Sequence, residues 1–391
     1  MTDLLARAES LAQRFETRAA RYDQAAAFPE EDVEDLRAEG FLGLMVPARL
    51  GGLDAGFEDY VRVAAALAAG SASTALIFNM HASVTGALAQ IPDELATALG
   101  AAPSFPETRD DILRRAAEGA MYGVAITERQ AGSRLSALTT TYEPDGNGYR
   151  IRGTKAFCSG AGHLDAYLMA ARRAASEGDP VISYFLVPRD AGVEVERDWD
   201  PLGMRATASH AIRVDARVGG EALLGGIEGL VLPLAQAMPQ WLVASYAAVY
   251  VGLARAAVTN ATGYIGSRTV AGERGGLARV PHVRQRVGRA DAAVGAAELA
   301  VRHAAQLVDL RPGDPETNRA VYRAKLLAGD TAMTVAASMA EACGAGALRR
   351  GAALERVFRD ARAGALMPPP SDVAGEYLGS SILGVDGEPP W

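Results

Sequence analysis

The sequence predicts a mainly α protein with a central β domain: an N-terminal helical domain, a middle β barrel and a C-terminal four-helix bundle. Three observations predict it. Residues 1 to 118 carry helix starts, helix stops and alanine-rich runs. Residues 119–222 switch to short β-branched and aromatic segments separated by glycine, proline and aspartate. From 223 to 391 the helical period returns. The expected domains are therefore 1–118, 119–222 and 223–391.

Taken in order, Pro29 followed by Glu30, Glu31 and Asp32 opens a helix, with acids where its dipole favours them, and Gly40 closes it. Further helices are expected over Glu58–Ala69 and from Ser73 to about Leu88. Tyr122–Ile126 begins the β region. Thr139–Tyr142 and Tyr149–Arg152 flank Pro144-Asp145-Gly146-Asn147-Gly148, a turn between β-formers that signals a hairpin. Strand character continues over Ala166–Ala171, Val181–Val187 and Ala211–Val218. Beyond it, Val287, Ala290, Val294, Ala297, Val301, Ala304 and Val308 form one apolar stripe of a long helix, suited to close antiparallel packing. Arg311-Pro312-Gly313-Asp314-Pro315 breaks it before a helix over 316–343, and Met367-Pro368-Pro369-Pro370 interrupts the last helical region.

Composition narrows the function. The 391 residues hold 39 basic and 47 acidic side chains, a formal charge of −8. An acidic balance argues against nucleic-acid partners and against docking on an anionic membrane. Two distant cysteines, Cys158 and Cys343, make neither a disulfide framework nor a metal cluster and suggest a reducing interior. No basic segment followed by an apolar one opens the chain, so no signal peptide is expected. The most apolar run, Trp241–Ala254, stops at Arg255, too short to span a bilayer, and reads as a buried helix. A cytoplasmic location is the expectation. No G-x-G-x-x-G, G-x-S-x-G, P-loop or H-E-x-x-H motif appears.

Four segments in order resemble the acyl-CoA dehydrogenase superfamily of flavoproteins. Ile126-Thr127-Glu128-Arg129-Gln130-Ala131-Gly132-Ser133 is similar to its T-E-P-x-A-G-S loop, with Arg129 for proline. Gly153-Thr154-Lys155-Ala156-Phe157-Cys158-Ser159 is like its G-x-K-x-W-I-T strand. Leu202-Gly203-Met204-Arg205-Ala206-Thr207-Ala208-Ser209 is like its G-x-R-x-S-x-T segment, and Leu354–Ala361 holds an arginine–aspartate step at Arg359-Asp360. The resemblance implies an FAD-dependent oxidoreductase. It would take a hydride from an acyl thioester during α,β-desaturation and assemble as a homodimer or homotetramer, with FAD crossing a subunit boundary.

The resemblance also implies the cofactor residues. Ile126 and Thr127 would serve the N1–C2=O edge of the flavin, where reduction places negative charge. Ser159 would donate near N5, and Phe157 would lie against the ring. Gly132 would let the backbone approach the pyrophosphate and Ser133 would add a hydroxyl. Arg268 would reach the pyrophosphate of a neighbouring subunit. Glu341-Ala342-Cys343-Gly344-Ala345-Gly346 sits where the family has a glycine-rich helix end near the adenine side, although glycine there is first a cap.

The pattern breaks at the base. The family's proton-abstracting glutamate follows the arginine of the Arg-Asp step by nine positions, and that position is Pro368. The alternative location, within 239–255, holds no carboxylate either. Asp372 is the low-ranked substitute, with Glu376 behind it. The readings that follow are a dehydrogenase with a relocated base, a flavin-dependent monooxygenase of the same fold using reduced flavin and O2, or a non-catalytic flavin- or acyl-binding homologue. For a monooxygenase, His81, His163 and His210 are acid–base candidates, His210 first.

Overall fold

The structure, a computed structural model, describes residues 2–132, 134–174, 180–230, 239–269 and 276–385. Helix α1 (Thr2–Ala25) leads to Pro29, which caps α2 (Glu30–Ala38), and Gly40 follows that helix in the left-handed conformation. Acids in the first turn of α2 and a glycine past its end are the signals by which the sequence marks it. Helix α3 (Phe57–Gly70) starts at Gly56, which offers no capping side chain. Asp309, distant in sequence, supplies the cap by accepting from the amides of Phe57 and Glu58 at 2.7 and 2.9 Å. Every residue from Ala72 to Gly86 in α4 (Ala72–Ala89) is buried, so this helix is a central post, not an amphipathic surface helix. Helices α5 (Asp93–Ala98) and α6 (Phe105–Ala117) complete the N-terminal part.

Seven strands follow: β1 (Tyr122–Ala125), β2 (Thr141–Asp145), β3 (Gly148–Lys155), β4 (Ala166–Arg173), β5 (Ile182–Pro188), β6 (Val193–Glu196) and β7 (Ala211–Gly219). They form one curled sheet in the order β1-β4-β2-β3-β7-β6, with β5 also paired to β4. The expected hairpin is β2–β3, closed by Gly146-Asn147, with Tyr142 opposite Ile151. Strand β4 runs parallel to β1 and β2, and the other pairings are antiparallel.

The C-terminal helices are α7 (Ala244–Ser267), α8 (Pro281–Leu310), α9 (Pro315–Cys343), α10 (Ala353–Asp360) and α11 (Ser371–Leu383). The predicted stripe of α8 is buried at Ala290, Val294, Ala297, Val301, Ala304 and Val308, with Val287 half-buried. Small residues set how closely these helices pack. A Cβ on Gly252 of α7 would stand 2.1 Å from the carbonyl oxygen of Ala65 on α3, so the contact requires glycine. The apolar run around Ala244–Ala254 is indeed a buried helix, and Arg255 at its limit binds Asp291 and Glu298 of α8. Among the described residues no helix is long and apolar enough to cross a membrane, and no cluster of three or more His, Cys, Asp or Glu is placed to hold a metal.

Candidate functional site

A cavity of about 550 Å³ lies between the sheet, the helices and the chain after α10. One wall comes from the segments flanking β1 and β3. It contains Ile126, Thr127, Gly132, Ala156, Phe157 and Ser159. The loop before β7 adds Trp199, Leu202, Gly203, Met204, Thr207 and Ser209. Across from these stand Leu76 and Met80 of α4, Tyr246 of α7, and Arg359, Arg362, Leu366, Met367 and Pro368.

The first wall is held by a buried ion pair. Lys155 Nζ lies 2.8 Å from Glu128 Oε1 and 3.2 Å from the carbonyl oxygen of Ile126. The Glu128 carboxylate also accepts from the Thr139 amide at 2.7 Å, the Thr139 hydroxyl at 2.6 Å and the Thr140 amide at 3.0 Å. Burial alone would raise the Glu128 pKa, but Lys155 and these donors overcome it and hold it down to about 2. Burial makes Lys155 less basic, against the pull of Glu128. Both directions fit one picture: a carboxylate with four donors keeps its charge, and the lysine bears the desolvation. The amide of Ala156 closes the join by donating to the Thr127 carbonyl at 2.8 Å.

Phe157 is 61% exposed and its φ is 58°, a left-handed conformation that a bulky residue adopts only under tertiary constraint. Its ring stands edge-on to Trp199 at 6.2 Å. Below it the hydroxyls of Ser159, Ser209 and Thr207 form a buried row, with Ser159–Ser209 at 2.9 Å and Ser209–Thr207 at 2.7 Å. The Thr127 hydroxyl has no hydrogen-bond partner among the described residues.

The arginine–aspartate step braces the second wall. Arg359 donates to both oxygens of Asp23 at 2.9 and 2.6 Å, to Glu355 at 2.6 Å and to the Leu202 carbonyl at 3.0 Å. These partners raise its pKa further. Asp360, fully buried and pushed up to about 6 by that burial, accepts from the Met204 amide at 2.5 Å. Gly203 lies against this step: a Cβ there would fall 2.3 Å from the Arg359 carbonyl oxygen.

Five of the sequence-predicted cofactor residues therefore meet in one cavity: Ile126, Thr127, Gly132, Phe157 and Ser159. Ser133 lies outside the described residues. Arg268 caps α7, exposed, with its guanidinium 5.3 Å over the Tyr264 ring and outside the cavity of its own chain. Gly346 packs beside the same Tyr264, also away from the cavity.

The acid–base candidates are elsewhere. Asp372 is exposed in the first turn of α11 and Glu376 accepts from the Ser380 hydroxyl. His210 does not line the cavity. Its Nδ1 accepts from the amides of Asp198 and Trp199 at 3.1 and 3.0 Å, which assigns the proton to Nε2 and gives the ring the work of holding the loop that carries Trp199. His81 is buried between the Leu42 carbonyl at 2.7 Å and the Tyr122 amide at 3.0 Å, and burial lowers its pKa to about 4. His163 stacks on Phe28 at 4.2 Å. Pro368 does face the cavity, and among the described residues no carboxylate lines it.

Sequence reasoning missed Thr207, Ser209, Tyr246 and Arg362 as wall residues. The first two sit inside the third motif, but short turns with left-handed residues at Met204 and Ala208 decide which hydroxyls face inward. Tyr246 is hidden in an apolar helix, where only its phenol, 3.8 Å from Met80 Sδ, hints at a lining role.

Comparison with known proteins gives a consistent picture. Family models described as the N-terminal, middle and C-terminal domains of acyl-CoA dehydrogenase match residues 4–94, 123–216 and 240–382. YdbM of Bacillus subtilis, named a candidate acyl-CoA dehydrogenase, is 30% identical over 93% of this chain and 92% of its own. L-evernosamine nitrososynthase of a Micromonospora strain is 31% identical over 99% of this chain and 90% of its own. Among solved structures, FMN-bound TdsC from Paenibacillus sp. A11-2, a dibenzothiophene monooxygenase, superposes with a TM-score of 0.86 at 28% identity, covering 100% of this chain and 99% of that one. TdsC is also known with FMN and indole together.

Proposed function

The chain belongs to the acyl-CoA dehydrogenase family, and we propose that within it this protein is a flavin-dependent monooxygenase that holds FMN in the cavity just described. One observation carries the reading: no carboxylate of the described residues lines the cavity, and Pro368 borders it at the position where the resemblance puts a dehydrogenase's base. Among the described residues, removal of an α-proton has no agent there. Oxygenation by a reduced flavin has no such requirement.

The residues fit a flavin. An exposed phenylalanine held in a costly backbone conformation offers a flat apolar face. Thr127 presents a free hydroxyl beside the backbone of Ile126, and Ser159, bonded to Ser209, borders the same cavity. Bound there, a flavin would supply the electrons that activate O2. Ile126, Thr127 and Ser159 orient the polar edge of the ring, while Leu76, Met80 and Met367 exclude water from the space beyond it. That space is mostly apolar, which favours a small hydrophobic substrate over a charged one. FMN is favoured over FAD because TdsC binds FMN. A homodimer or homotetramer, with Arg268 reaching a neighbouring subunit, remains part of the proposal.

The test compares two reactions. Anaerobic addition of an acyl-CoA panel to the FMN-loaded protein should leave the flavin yellow. With a separate flavin reductase, NADH, oxygen-18 gas and indole as probe, label should enter an indole product. Bleaching of the flavin by any acyl-CoA would overturn the reading in favour of desaturation. Flavin binding with neither reaction would point to a non-catalytic homologue.

A further inference from the structure

The row of hydroxyls beneath Ser159 has a direction. Thr207 Oγ1 lies 2.9 Å from the carbonyl oxygen of Met204, which can only accept. If Thr207 gives its one proton to that carbonyl, Ser209 must donate to Thr207 across 2.7 Å, and Ser159 must donate to Ser209 across 2.9 Å. Each hydroxyl then donates once, and all three donations are made inside the protein. Ser159 and Ser209 are 4% and 6% exposed and Thr207 is fully buried, so solvent does not compete for these protons. The opposite order keeps only two internal bonds and turns the Ser159 proton toward the cavity. In its better-bonded order Ser159 presents lone pairs to the cavity, and no proton.

We propose that Thr207 and Ser209 are positioning residues that make Ser159 a hydrogen-bond acceptor, so that the cavity selects a reduced flavin, whose N5 carries a hydrogen, over an oxidised one, whose N5 does not. This rests on the flavin reading above, and it reverses the donor role the sequence suggests for Ser159. A reduced ring adds a fourth bond to the three already made. An oxidised ring gains a bond only by turning the row round and giving up the one to Met204. The difference is one buried hydrogen bond, a preference of about two- to tenfold.

The experiment titrates the flavin-free full-length protein with FMN, once oxidised and once reduced with dithionite under argon. The wild type should bind the reduced form about two- to tenfold more tightly. Thr207→Val removes the anchor, frees the Ser159 proton to face the cavity and should bring the ratio of the two affinities to one or below. Thr207→Ser restores the hydroxyl and should restore the ratio. If the valine variant fails to fold, Ser209→Ala cuts the row at its middle and should also shrink the ratio. A structural role alone would change both affinities together and leave their ratio unmoved. A wild-type ratio of one, or a ratio untouched by either substitution, overturns the proposal while the flavin reading stands. Failure of both redox forms to bind overturns the flavin reading and the proposal with it.

Discussion

Lys155→Met should destabilise the protein by about 3 kcal/mol, and the structure says why the value falls there. The side chains of Lys155 and Glu128 are 0% and 4% exposed, so the pair is not screened by solvent. Removing one partner of such a pair typically costs about 3–5 kcal/mol, because the other charge stays buried. The expectation is the low end, since Glu128 keeps the two amides and the hydroxyl of Thr139 and Thr140. Methionine fills most of the volume of the lysine stem, so the cavity contribution is small. Urea unfolding followed by circular dichroism measures the loss. The double variant Glu128→Gln with Lys155→Met should cost less than the sum of the single changes. Acid dependence gives a second check. Glu128 is depressed from 4.5 to about 2, so its contribution is fully present above pH 4.5 and is lost as pH falls toward 2. In the methionine variant that acid loss should shrink. A single-variant cost below about 1 kcal/mol would refute the claim that this pair holds the cavity wall.

Gly203→Ala places a methyl 2.3 Å from the Arg359 carbonyl oxygen, backbone against backbone, and should cost about 1–3 kcal/mol in urea unfolding; a change near zero would mean the loop does not rest on that step. His81 is held neutral, with its pKa lowered from 6.5 to about 4, so stability present above pH 6.5 should be lost as pH falls toward 4, by about 3 kcal/mol at most. His81→Gln should flatten that part of the pH–stability curve, and an unchanged slope would clear His81 of the effect. Phe157→Gly should stabilise the flavin-free protein by up to about 1 kcal/mol through relieved strain, read in urea unfolding, while weakening FMN binding measured by fluorescence; unchanged FMN affinity would remove Phe157 from the flavin wall.

How much of this was legible in the sequence follows from what local signals carry. Helix α2 was marked at both ends by proline, acids and glycine, and β2–β3 by its turn, because caps and turns are decided by a few neighbouring residues. The near wall of the cavity was legible for the same reason: Thr127, Phe157 and Ser159 lie in two short motifs joined by one sheet. The far wall was not. Tyr246, Arg362 and Met367 arrive from helices and turns distant in sequence, and only packing brings them opposite Phe157. His210 looked like an acid or base because composition cannot show that its free nitrogen already serves two backbone amides.

The Arg359-Asp360 step shows why the family pattern alone does not decide the reaction. Its hydrogen bonds are spent on bracing, although Arg359 also borders the cavity. Arg359 ties α10 to Asp23 on α1 and to the Leu202 carbonyl, while Asp360 holds the Met204 amide. That scaffold is needed whether or not a base follows, because the Leu202–Met204 loop it braces forms part of the cavity wall and supplies the carbonyl on which the hydroxyl row ends. A motif that braces the wall can therefore persist while the position that would act on a thioester changes. Restoring the acid tests this separation. Pro368→Glu alters backbone and charge together, so folding must first be checked by circular dichroism. A folded variant whose FMN is bleached by an acyl-CoA would show that only the base had been missing. A folded variant that stays yellow would place the difference in the shape of the cavity as well.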